Sequence, residues 1–340
     1  MSMKKFVSLM ISLMVFALLV AGCGGGKDSK APDQKAQGAK YTFRLAETHP
    51  PDYPTTMGDK KYAELVAERS NGRIKIDVFP NSQLGEEKAV LEQIQLGAIE
   101  FTRVSASPLA EFNKQFGVFS LPYIFDNDEH EWTFLNGEFG QKMLDNLDKS
   151  KMHGLAYYDS GSRNFYTKNP VKQPGDLKGM KIRVQQNKVN MDLIAALGAS
   201  ATPMPYGEVF SGLQTGVIDG AENNSPSYLT ASHYQAVKNF ILDGHQRVPE
   251  VLLMSKVTWD KLSPDDQKLI KQAAADSVKY QRDLWTKFEK ESLDKLKTSG
   301  VVVTEVADVK PWQDAVKPVL DKYNADFKDE LSAIAGARKK

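Results

Sequence analysis

Two arginines set beside short apolar segments are the residues of this chain best suited to recognition chemistry. Arg183 sits within Lys181-Ile182-Arg183-Val184, where strand alternation turns it away from the face shared by Ile182 and Val184. Arg163 follows Gly161-Ser162 at the mouth of the run Asn164 to Thr167. Asn223 and Asn224 come just after Val217-Ile218-Asp219-Gly220-Ala221, while Glu47 and His49 follow the strand begun by Phe43 and Leu45. Taken singly, a strand-end arginine is ordinarily solvated and a turn asparagine ordinarily structural. Together, guanidinium groups and amides at strand carboxyl ends suit an organic anion. That is where open α/β sheets place ligand groups, and a planar guanidinium grips a carboxylate through two parallel hydrogen bonds.

Residue patterns for other chemistries are missing. The five histidines (His49, His130, His153, His233 and His245) show neither HExxH nor a paired metal-ligand spacing. No Walker loop occurs and no GxGxxG follows a strand, and Asp159-Ser160-Gly161-Ser162 lacks the flanks of a nucleophile elbow. Neither a metal, a cofactor nor catalysis is expected. The 44 basic residues balance 43 acidic ones, which removes the electrostatic case for nucleic acid.

The elements that would position these groups alternate between helix and strand periods, the α/β pattern. A helix is predicted from about Thr55 to Ser70, with Tyr62, Leu65, Val66 and Arg69 at helical spacing and Asn71-Gly72 as the stop. Ile74, Ile76 and Val78 alternate with Lys75 and Asp77 as a half-buried strand. A second helix from about Glu86 to Gly97 leads to a strand near Ile99 to Val104, a course that demands parallel pairing. Further strands are expected at Leu155 to Tyr158, Asn164 to Thr167, Lys181 to Val184 and Val217 to Ala221, with helices at Val189 to Leu197 and Tyr206 to Gln214. Val251 to Met254 reads as a strand buried on both faces. Ser263-Pro264-Asp265-Asp266 supplies an N-cap, a first-turn proline and acids, and nothing interrupts the helix before Ser299-Gly300. Such a helix is roughly 50 Å long, more than one small domain, so it should lie across two domains or contain a kink, the spanning course being preferred.

The amino terminus carries an address. Lys4 and Lys5 precede an apolar run from Phe6 to Val20, shorter than the ~20 residues of a spanning helix. Val20-Ala21-Gly22-Cys23 matches a bacterial lipobox around the only cysteine, and Gly24 to Lys40 form a polar tether. Residues 1–22 are thus expected to be a signal peptide and Cys23 a lipid anchor. Its cleavage leaves 42 basic against 43 acidic residues and no thiol for disulfides. The protein is expected to be extracytoplasmic and membrane-tethered.

Three stretches then carry a family resemblance: Leu177-Lys178-Gly179-Met180-Lys181-Ile182-Arg183-Val184; Leu197-Gly198-Ala199 with Thr202-Pro203-Met204; and Leu213 through Asn223. With Pro80-Asn81-Ser82-Gln83-Leu84-Gly85 and Leu121-Pro122-Tyr123-Ile124-Phe125, the chain from about Tyr41 to Gly300 resembles the solute-binding subunit of tripartite ATP-independent periplasmic (TRAP) transporters, the DctP type. The resemblance implies a two-lobed binding-protein fold, each lobe a mixed sheet flanked by helices, and a separate membrane permease as partner. By analogy, lobe one covers 41–160 and 249–288, and lobe two 161–248 and 289–340. It places the carboxylate-gripping arginine at Arg183, a second arginine at Arg163, the ligand asparagine at Asn223 and the closing aromatic at Tyr206. Ala46, Glu47, His49, Arg103 and Ser105 fall on the first-lobe wall, and Asn224 and His245 complete the candidate ligand set. Ser105 stands where sialic-acid-type members carry an acid. The segments Tyr157 to Arg163 and Glu222-Asn223-Asn224 resemble the branch taking sugar acids, uronates and aldonates. A ligand-presenting sensor module, or a binder of another monocarboxylate or dicarboxylate, remains open at this level.

Overall fold

The computed structural model describes residues 39–338; the expected leader, Cys23 and nearly all of the tether lie outside them. Strand β1 (Tyr41–Ala46) is followed by α1 (Pro54–Arg69), which has proline in its first turn and ends before Asn71 and Gly72, both at positive φ. Its buried face sets Tyr62 and Val66 into a core with Phe101 and Leu252. β2 (Ile74–Phe79) pairs parallel with β1, and α2 (Glu87–Leu96) stops at Gly97, whose φ is 73°. β3 (Phe101–Ser105) then pairs parallel with β1 on its other side, and β4 (Met152–Tyr158) closes the first pass.

The chain crosses at 159–161 into β5 (Ser162–Thr167), β6 (Lys181–Val184), β7 (Ser200–Pro203), β8 (Gly220–Asn223), β9 (Asn239–Leu242) and β10 (Gln246–Arg247). It returns as β11 (Glu250–Ser255) and later adds β12 (Val302–Glu305) to the second lobe. One mixed sheet runs β2-β1-β3-β11-β4; the other runs β12-β9-β5-β8-β6-β7, with β10 on β5. β11 is buried along its whole length between β3 and β4, antiparallel to both.

The expected strand at Val217 to Ala221 begins later. Gly216 ends a helix in the left-handed conformation (φ 74°), Val217 is exposed, and pairing starts only at Gly220. Ile218 is buried by packing against Val209 and Leu213, not by the ladder. The expected helix at Tyr206 to Gln214 is likewise divided, into a 3₁₀ turn (Tyr206–Glu208) and a helix (Val209–Thr215).

The long helix runs unbroken from Pro264 to Thr298, 35 residues, with the Ser263 hydroxyl accepting from the Asp266 amide at 3.2 Å. Ile270, Ala273, Ala274, Ser277, Gln281 and Trp285 form its buried stripe. It packs on α1 and β4 of the first lobe and on the helix Ser225–Thr230 of the second. The helix Lys328–Gly336 turns back to the helix Asp128–Asn136, so Phe327 and Ile334 join the first-lobe core. No helix of the described residues is long and apolar enough to cross a membrane.

Candidate functional site

A narrow polar chamber lies where the two sheets face each other. The carboxyl ends of parallel strands converge on it: Thr48 and His49 just past β1, and Arg103 and Ser105 on β3. From the other side come Arg183 and Gln185 from β6, Asn223 and Asn224 from β8, and Arg163 from β5. Tyr206 and Ser227 complete the second-lobe side. Of the candidate residues, Glu47 and His245 stand one layer behind the wall. Glu47 is consumed by an ion pair with Arg103 and by accepting from the His49 amide at 2.8 Å. His245 stacks on Phe165 and bonds Asp243 at 2.8 Å.

The second-lobe wall contains one cation without a counter-ion. Arg163 is neutralised by Glu222 through both carboxylate oxygens and also donates to its backbone carbonyl at 2.9 Å. Burial raises the Glu222 carboxyl, but Arg163 outweighs it and draws the pKa down to about 2. His245 is pulled down by burial and pushed further up by Asp243 and Glu222, to about 9, so it is charged and paired. Arg183, by contrast, is 3% exposed and makes no ion pair among the described residues. Its Nε and Nη2 donate to the Met204 carbonyl at 3.0 and 2.7 Å. Burial lowers its pKa, as does Arg163 on the same wall. That geometry leaves the Nη1–Nη2 edge of the guanidinium for an anion.

The first-lobe wall is acid-rich. Arg103 meets Glu47, Glu87 at 3.0 Å and Glu250 at 2.7 Å, and also donates to Thr48 Oγ1 at 2.7 Å. Glu87, at the start of α2, additionally accepts from the Ser105 amide at 2.9 Å; burial and then Glu250 push its carboxyl up to about 8. Three buried atoms on this chamber's walls have no hydrogen-bond partner: His49 Nδ1, Ser105 Oγ and Gln185 Oε1. Buried polar groups are rarely left so, and the three suit a hydroxyl-rich guest. His49 is held neutral, near pKa 3, by burial and by Arg163. Its ring stacks on Tyr53 at 3.9 Å and meets Tyr206 edge-on at 5.1 Å.

The lobes are latched around the chamber. Tyr53 Oη lies 2.8 Å from Ser227 Oγ, Asn187 donates to the Ser107 carbonyl at 3.1 Å, and Asn190 to Ser107 Oγ at 2.8 Å. Gln185, Glu87 and Glu250 were not among the sequence candidates. Gln185 could have been found as the second residue past Arg183 on the same strand face; the two acids carry no such signal. The described residues contain no cluster of His, Cys, Asp or Glu that could hold a metal ion.

Two lobes joined by crossing segments, bridged by one long helix and latched over a buried polar chamber define a solute-binding protein. The match of residues 45–326 to the bacterial extracellular solute-binding proteins, family 7, makes this chain a member of that DctP family, the binding subunits of TRAP transporters. A solute-binding protein of Chromohalobacter salexigens is 37% identical over 83% of this chain and 84% of its own length. The TRAP solute-binding protein of Xanthobacter autotrophicus Py2, solved with β-D-galacturonate, is 42% identical with a TM-score of 0.84, covering 87% of this chain and 100% of that one. Its counterpart from Pseudomonas putida F1, solved with D-glucuronate, is 40% identical with a TM-score of 0.86, covering 88% and 98%. The chain is therefore an extracytoplasmic solute-binding protein, not an enzyme.

Proposed function

We propose that this protein captures a sugar acid, a uronate or an aldonate, and delivers it to a TRAP permease while a lipid on Cys23 holds it at the membrane. The observation that carries the reading is Arg183, a buried guanidinium without a carboxylate partner, facing a chamber otherwise lined by hydroxyl-binding groups. In this reading the ligand carboxylate takes the free edge of Arg183, with Arg163 and Asn223 beside it. His49, Ser105, Gln185, Asn224 and Glu87 read the hydroxyls, and Tyr206 covers the mouth. Arg103, Glu47 and His245 hold those groups in place. The sugar acids bound by the galacturonate and glucuronate proteins of Xanthobacter and Pseudomonas support the ligand class. Lobe one is proposed as 41–160 and 249–288 and lobe two as 161–248 and 289–340. The packing of the helix Lys328–Gly336 on the first lobe favours moving that helix across.

A thermal-shift panel tests the reading. D-Glucuronate, D-galacturonate, gluconate and galactonate are compared with glucose and galactose; a ligand at 100 times its Kd adds ~2.7 kcal/mol. At least one acid should stabilise the protein and its neutral sugar should not. A neutral hexose as effective as its uronic acid, or no response to any acid, overturns it.

A further inference from the structure

The two walls of the chamber differ in net charge. On the second-lobe side the Arg163–Glu222 and His245–Asp243 pairs each cancel, leaving one positive charge on Arg183. On the first-lobe side three carboxylates, Glu47, Glu87 and Glu250, share the single guanidinium of Arg103. Even with Glu87 holding its proton, two carboxylates face one guanidinium. Glu86 adds a further acid at the rim, where it accepts from the Gly207 amide at 3.4 Å. No lysine lines the chamber, and the remaining wall groups, Thr48, Ser105, Gln185, Asn223, Asn224, Ser160 and Ser227, are neutral.

We infer that the chamber admits only singly charged acids, Glu87 and Glu250 acting as specificity residues that turn away a ligand with a second carboxylate at the end remote from Arg183. A hydroxyl at that end donates to the Glu250 carboxylate and can either donate to or accept from Glu87, whereas a second carboxylate offers only acceptors to Glu250 and brings a like charge into a buried site. Arg103 cannot rescue the diacid, because its Nε, Nη1 and Nη2 are already committed to carboxylates and to Thr48. Arg183 cannot serve two carboxylates, since two of its five N–H donors hold Met204 and the remaining three grip only one carboxylate bidentately. The inference rests on the sugar-acid reading and deepens it: aldonates and uronates fit, aldarates and C4-dicarboxylates do not.

Isothermal titration of the purified protein with two sets of acids tests this. The monoacids are glucuronate, galacturonate, gluconate and galactonate; the diacids are glucarate, galactarate, malate and succinate. Galactonate and galactarate differ only in whether the far terminus is a hydroxymethyl or a carboxylate. Every diacid is expected to bind at least 100-fold more weakly than the tightest monoacid, ~2.7 kcal/mol. A diacid within tenfold of that monoacid overturns the inference while leaving organic-acid capture intact. Silence from all eight acids instead refutes the sugar-acid reading itself. Glu87 and Glu250 both meet the Arg103 guanidinium on this wall, so the variant is Glu87→Gln with Glu250→Gln. It should narrow the monoacid–diacid gap at least tenfold, and an unchanged gap in the folded variant refutes the electrostatic cause. Should that variant fail to fold, the wild-type comparison decides alone.

Discussion

Substitution of Arg183 distinguishes a ligand cation from a structural one. In the closed protein its guanidinium is buried, holds only the Met204 carbonyl and has no ion-pair partner. Truncating one member of a buried charge pair costs about 2–5 kcal/mol of binding, roughly 30- to 5000-fold in Kd, and Arg183→Ala is expected in the upper part of that range. Arg183→Lys keeps the charge but offers a point donor. It cannot hold Met204 and present two parallel donors to a carboxylate, so a loss of at least tenfold is expected. The ligand-free protein should be nearly indifferent. With the lobes apart water solvates the Arg183 charge, so Arg183→Met forfeits only the two bonds to Met204, each about 1 kcal/mol. Ligand-free stability should therefore fall by no more than about 2 kcal/mol while the ligand-induced shift disappears. Calorimetry with the best acid and urea denaturation without ligand read the two effects. The reasoning is refuted by Arg183→Lys binding within threefold of wild type, or by Arg183→Met losing more than about 3 kcal/mol of ligand-free stability.

Four further outcomes are expected. Burial lowers the His245 pKa, but Asp243 and Glu222 carry it to about 9 from an ordinary 6.5, so its contribution is full below pH 6.5 and lost as pH rises through 9. The loss is on the order of 3 kcal/mol, and His245→Gln should flatten the fall in stability between pH 6.5 and 9; identical slopes in denaturation would count against it. Asp59 is fully buried with neither carboxylate oxygen bonded, and burial followed by Glu250 raises its pKa well above the ordinary range. Its ionisation opposes folding increasingly as pH rises above about 4, so Asp59→Asn should gain stability over wild type between pH 5 and pH 8, and a constant difference in urea melts argues otherwise. Gly161 lies on the crossing between lobes at φ 58°, where an added Cβ would sit 2.9 Å from Trp285 Nε1; Gly161→Ala should cost about 1–3 kcal/mol, and a neutral melt would contradict that. Cys23→Ala should move the protein from the membrane fraction to the soluble one without changing affinity, and an unmodified Cys23 in the membrane-bound native protein would disprove the anchor.

Legibility in the sequence followed the range of the forces involved. The long helix was readable because Ser263-Pro264 starts it and nothing breaks it, and Arg183 because Ile182 and Val184 declare the strand on which it alternates. Strand β8 was misplaced because Ile218 and Val217 resemble a strand locally, whereas Gly216 and the bonds of the Asp219 amide and carboxylate to Lys181 keep that segment a turn. Strands β7 and β12 at the sheet edges and β9 beside β12 are four residues each and carry no apolar alternation of the kind Ile182 and Val184 give β6. Glu87 and Glu250 lay beyond local reading. Each is one acid among 43, and only the register that sets Glu250 opposite Ser105, with the first turn of α2 packed over β3, brings them to one guanidinium.

The same charge arrangement couples closure to cargo. On the proposed reading, water solvates Arg183 while the lobes are apart, and closing the latches through Tyr53, Asn187 and Asn190 would leave a lone guanidinium in a medium of low dielectric. A single ligand carboxylate supplies the missing charge, and its attraction strengthens as the chamber closes because the effective dielectric falls. A neutral sugar leaves the penalty in place, and a diacid exchanges it for repulsion against Glu87 and Glu250. On that reading the closed shape is favoured by one class of occupant, and that shape would distinguish loaded from empty protein at a permease.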